Sequence, residues 1–83
     1  MKQELYRFIH QYTTTSFGGY IQRCFVLRGT VTKKIETFAG YINDGKDIAP
    51  QTLLRVVKID DDIFEMKRIT PLEMLMYRRD NNE

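Results

Sequence analysis

The chain has 83 residues, 42% of them hydrophobic and 29% charged, and a formal net charge of +2. That length allows one core, so a single domain is expected over 1–83; a domain this small buries only about 60–65% of the surface its unfolded chain exposes. One cysteine, Cys24, excludes an internal disulfide and a four-cysteine zinc site, and the mild basic excess lacks the basic block of a dedicated nucleic-acid-binding domain.

Residues 2–12 predict an amphipathic helix. Leu5, Phe8, Ile9 and Tyr12 fall at i, i+3, i+4 and i+7, with Lys2, Gln3, Arg7 and Gln11 opposite. The run Thr13-Thr14-Thr15-Ser16 is expected to stop that helix, and Gly18-Gly19 to form a hinge. Residues 20–28 predict a first strand centred on Phe25-Val26-Leu27. A turn or bulge at Gly29 leads to a second strand over 33–43, in which Gly40 signals a bend or a close backbone approach.

Asn43-Asp44-Gly45-Lys46 is the clearest turn, because Asp-Gly supplies positive φ angles. After a loop containing Pro50, strands over 53–59 and 63–69 read as a hairpin closed by Asp60-Asp61-Asp62. Thr70-Pro71-Leu72-Glu73 is a helix start with a capping box, and a short helix follows over 71–79, with a frayed tail over 80–83. The predicted class is therefore α+β. About four antiparallel strands, as an open sheet or a small SH3-like or Sm-like barrel, are flanked by an N-terminal helix and a short C-terminal helix.

No motif assembles catalytic chemistry, so a non-enzyme is expected. His10 is the only histidine and Ser16 the only serine, with nothing marking Ser16 as a nucleophile. Cys24 fits a small buried apolar position. The acidic groups at Asp60–Asp62 and around Asp44 lack the spacing of a calcium loop. No cofactor or metal is predicted. The absence of disulfides in so small a chain points to the cytoplasm, and the charged first twelve residues are neither a leader nor a membrane span.

Two binding roles are expected. The leading one is a small non-catalytic accessory protein of the kind phages and mobile elements carry, acting on a protein partner or as a homo-oligomer. Its candidate interface is Met74, Met76 and Tyr77 on the last helix. The alternative is nucleic-acid binding on a basic, aromatic sheet face. Its candidate contacts are Arg23, Arg28, Lys33, Lys34, Tyr41, Arg55, Lys58, Lys67 and Arg68, with Tyr20 as a further stacking residue.

Overall fold

The computed structural model describes residues 4–15 and 18–81, with side chains described as far as residue 76. Along the chain run β1 (Tyr6–Thr15), β2 (Ile21–Gly29), β3 (Ile35–Ile42), β4 (Leu53–Asp60), β5 (Ile63–Arg68) and α1 (Pro71–Asn81). The strands close into a barrel in the order β1-β2-β3-β5-β4. Four of the pairings are antiparallel; β3 and β5 run parallel. β1, β2 and β3 follow one another as neighbours, and β4 crosses to the far side of β5.

The α+β expectation is therefore wrong in three respects. The segment predicted as an N-terminal helix is a strand, five strands replace four, and the sheet is mixed. The first error has a local cause. β1 carries a bulge between Phe8 and His10. An extra residue at a bulge shifts the inside–outside alternation by one position. Leu5 lies before β1, Phe8 is in the core, Ile9 is the bulged residue and Tyr12 is exposed, so the four apolar residues at helical spacing do not share one face. Thr13–Thr15, expected to stop a helix, are strand residues paired with Ile21–Arg23. Their β-branched side chains suit a pleated edge.

The mixed sheet has a different cause. β4 does not return beside β3. A ten-residue connection between Ile42 and Leu53 carries the chain to the far side of β5 and onto β1. That connection is fastened inside and out. Ile48 is buried in the core, and Arg68 donates from Nε to the Asp44 carboxylate at 2.5 Å and from Nη2 to the carbonyls of Lys46 and Asp47. The Lys46 backbone N–H, with Arg68 second, holds the Asp44 carboxyl below its ordinary pKa.

The core is the barrel interior. Phe25 and Leu27 of β2, Leu54 of β4 and Met66 of β5 are fully buried, joined by Phe8 and Ile42. Tyr6, Phe38 and Phe64 extend the core as a row of edge-to-face rings, with centroids 5.3 and 5.1 Å apart.

Gly40 lies where β3 meets β5 and pairs with Phe64. Its φ of 155° is disfavoured for other residues, and a Cβ there would overlap the Phe64 carbonyl oxygen. Because the obstacle is backbone, no side-chain rearrangement can make room. Gly40→Ala is expected to destabilise the fold by roughly 2–4 kcal/mol, as overpacking plus backbone strain, and denaturant titration will show it as a fall in midpoint.

The turn from β2 to β3 is held by Glu4, just before β1. Its carboxylate accepts the backbone N–H groups of Thr32 and Val31, each at 2.7 Å, and the Thr32 hydroxyl at 3.1 Å. The Thr32 amide is the largest cause of a lowered Glu4 pKa. A carboxyl whose folded pKa is depressed contributes its stability above the unfolded pKa and loses it as pH falls through the folded value. Thermal midpoints are thus expected to fall once pH drops below about 4, the ordinary carboxylate range. Glu4→Gln should lower the midpoint at pH 7 and flatten the acid limb; an acid limb unchanged by the substitution would assign it to other groups.

Candidate functional site

β2 has two partners of unequal reach. Its ladder with β1 continues out to Ile21↔Thr15, whereas its ladder with β3 ends at Cys24↔Ala39. Residues Ile21–Arg23 and Thr13–Thr15 therefore form a two-stranded ribbon beyond the barrel wall. From Gly40 onward β3 pairs with β5 on its other edge. A groove of about 440 Å³ opens between the ribbon and the end of β3.

Large apolar side chains surround this groove, and they are unusually open to solvent. Tyr20, just before β2, and Ile21, its first residue, are 75% and 79% exposed. Tyr41 of β3 is 44% exposed and Ile63 of β5 42%. These values mark a clustered surface patch, since scattered apolar residues would not converge on one concavity. Gly40 lies between them and leaves the wall there without a side chain. The polar groups on the groove are Gln22, Arg23 and Asp62.

The charge around the groove is mixed and leans acidic. Arg23 is exposed beside it. Asp62 also lines it, and Asp60 and Asp61 complete the adjoining β4–β5 turn, where the Asp61 N–H donates to the Asp60 carboxylate at 2.8 Å. Glu65 is the register partner of Tyr41 and lies 3.9 Å from the Lys67 ammonium.

The residues proposed from sequence to contact nucleic acid are not brought onto one face. Arg23 and Tyr41 meet at the groove. Arg28, Lys33 and Lys34 are exposed at the opposite end of β2, about 17 Å away along the strand at 3.4 Å per residue. Lys58 is exposed on β4. The others are engaged: Arg55 pairs with Glu73, Lys67 lies near Glu65, and Arg68 fastens the loop after β3. Lys33 sits at φ 64°, in the left-handed region, at the tip held by Glu4.

The proposed protein-contact residues lie on α1. The capping box is formed: the Glu73 N–H donates to the Thr70 hydroxyl at 3.2 Å, and the Glu73 carboxylate accepts from the Thr70 hydroxyl at 3.0 Å. Met74 is half-buried and Met76 exposed; the side chain of Tyr77 lies outside the described residues, as do those of Arg78 and Arg79. The exposed apolar stripe of α1 is Leu72, Leu75 and Met76.

His10 is exposed on β1 with its ring 6.2 Å from that of Tyr12, and Cys24 is buried. Ser16 lies outside the described residues. Among the described residues no three His, Cys, Asp or Glu side chains gather as a metal ion would require. Among the described residues no helix is long and apolar enough to cross a membrane.

Sequence reasoning missed Ile21, Ile63 and Asp62 as neighbours. A signal was present in Tyr20-Ile21, two large apolar residues directly after Gly18-Gly19, where a loop exit usually carries polar ones. What brings Ile63 to them is the parallel β3–β5 pairing. Compared with protein families, curated proteins and solved structures, the chain matches none of them.

Proposed function

We propose that this is a non-catalytic recognition protein that binds an extended polypeptide segment in the groove between β2, β3 and β5. The observation that carries this reading is the convergence of Tyr20, Ile21, Tyr41 and Ile63, all substantially exposed, on one concavity. Aromatic and aliphatic anchors in a central pocket are what peptide and protein interfaces use for affinity. The edge of β2 from Ile21 to Arg23 has no β3 partner, so it offers main-chain groups to a strand laid alongside. The acidic β4–β5 turn favours a segment that carries Lys or Arg beside its apolar anchors.

The test uses the full chain as bait for a random-peptide library. Selected peptides are expected to combine apolar or aromatic residues with at least one basic residue. Tyr41→Ala or Ile63→Ala should weaken binding about 10-fold or more, a loss of roughly 1.4 kcal/mol per decade. Circular dichroism should stay unchanged, because both side chains stand at the surface. Asp62→Asn should weaken binding less and reduce its dependence on salt. Acidic consensus peptides, or peptides indifferent to these substitutions, would place recognition elsewhere.

The topology favours a second reading. OB folds, which are five-stranded Greek-key barrels, bind oligonucleotides on the β2–β3 face and the adjoining loops; in this five-stranded barrel the same places hold Tyr20, Arg23 and Tyr41, although fold alone does not assign function. Arg28, Lys33 and Lys34 would then continue the path, at the short end of the roughly 4–16 nucleotides one such barrel covers. Lys33→Gly separates charge from structure. It should not lower the thermal midpoint, because glycine accepts the left-handed backbone. On this second reading it should weaken binding of oligo(dT) and shallow the log–log salt slope by about 0.7. Unaltered or absent oligo(dT) binding leaves the polypeptide reading standing alone.

A further inference from the structure

We infer that the chain forms a two-fold dimer by pairing the outer edge of β1, residues 11–15, with the same edge of a second copy. The inference is independent of what the groove binds. A closed barrel removes strand edges, but here closure is local. On the side facing away from β2, β1 pairs with β4 only at Tyr6 and Arg7, and Phe8 adds bonds to the Thr52 carbonyl and the Gln51 N–H, each at 2.9 Å. Beyond the bulge, among the described residues, no strand pairs with that edge, although the Gln11 side-chain oxygen is itself buried and has no hydrogen-bond partner.

Backbone alternation shows what the edge presents. Phe8 directs its N–H and C=O away from β2. The ladder, displaced by one residue at the bulge, then turns the N–H and C=O of Gln11, Thr13 and Thr15 outward. These residues lie within Gln11-Tyr12-Thr13-Thr14-Thr15, which contains no charge and no proline. Soluble proteins guard exposed edges with lysine, proline, inward charges or bulges, and this edge has none of them past its base. Three consecutive threonines add high strand propensity.

The occupant the edge fits is its own copy. An antiparallel pair centred on Thr13 brings Thr13 opposite Thr13, and Gln11 opposite Thr15 in both directions. Every outward donor then meets an outward acceptor. Tyr12 falls opposite Thr14, an aromatic and β-branched pair of the stabilising kind. No like charges face each other across the seam. The nearest are the two Arg23 side chains on the flanking β2 strands, about three strand spacings or ~14 Å apart, beyond the ~8–10 Å screening length. The pairing is isologous, so it closes at two copies. It is also short, which places it among the weaker, concentration-dependent interfaces.

Sedimentation equilibrium on the full chain, over a hundredfold concentration range up to about 1 mM, tests this. The expected result is a monomer–dimer equilibrium. Thr13→Pro removes an outward donor without touching the ladder to β2 and should weaken the dimer at least 10-fold. T13K keeps every backbone group and sets like charges opposite one another across the two-fold, so it should do the same even if the proline variant folds poorly. Circular dichroism of T13K should match that of the parent. Leu72→Ser with Leu75→Ser, on the exposed stripe of α1, should leave the dimer intact. A monomer at the highest concentration, an open-ended assembly, a dimer indifferent to T13K, or one lost only with the α1 substitutions would overturn the proposal.

Discussion

The change of partner along β3 governs the rest of the molecule. Up to Ala39 this strand is the neighbour of β2; from Gly40 it is the parallel neighbour of β5. The backbones come so close at Gly40 and Phe64 that no side chain fits between them. Parallel pairing at that point requires the chain to travel away and return, which the ten residues after Ile42 and the β4–β5 hairpin accomplish. Barrel closure, the burial of Met66 and Leu54, and the groove beside Tyr41 all depend on this contact.

The barrel also determines which charges remain available. Arg55 and Arg68 look alike in sequence to Arg23 and Arg28, yet they are structural. One ties α1 to β4, and the other bolts the loop after β3 to β5. Among the described residues the exposed cations are dispersed over the two ends of β2, the β2–β3 turn, the β3–β4 connection and β4, while the acidic β4–β5 turn lies against the groove. One continuous basic face is incompatible with that distribution. A mixed site with apolar anchors follows from it naturally.

Much of the local structure was legible from residue chemistry, and the reasons are physical. The capping box at Thr70–Glu73, the Asp44-Gly45 turn and the close approach at Gly40 each rest on properties of two or three adjacent residues. So do the segments of β2, β3, β4 and β5, which nearly coincide with the runs read as strands. β1 reads as a helix because Leu5 before the strand, Phe8 in the core, Ile9 at the bulge and Tyr12 at the surface happen to fall at spacings of three and four without sharing a face. The mixed sheet was not legible at all. Nothing near Ile63 or Phe64 in sequence records that they will lie against Gly40 and Tyr41. For the same reason the groove escaped notice: Tyr20, Tyr41 and Ile63 are each unremarkable alone, and only pairing between distant strands makes them neighbours.

The bulge in β1 has one more consequence, in the order of folding. β1 and β2 form a local hairpin, and β3 extends it with short connections, so these three strands can assemble while β4 and β5 are still unpaired. Such an intermediate displays Phe8, Phe25 and Leu27 on an uncovered sheet face. It also displays β1 as a bare edge along its whole length, because β4 has yet to dock at Tyr6 and Arg7. The bulge twists that edge locally and interrupts its flatness, which limits how long a stretch a neighbouring nascent chain can pair with. One irregular residue at Ile9 thus serves the unfinished protein as a brake on misassembly, before it serves the finished one by letting a single strand join two different walls of the barrel.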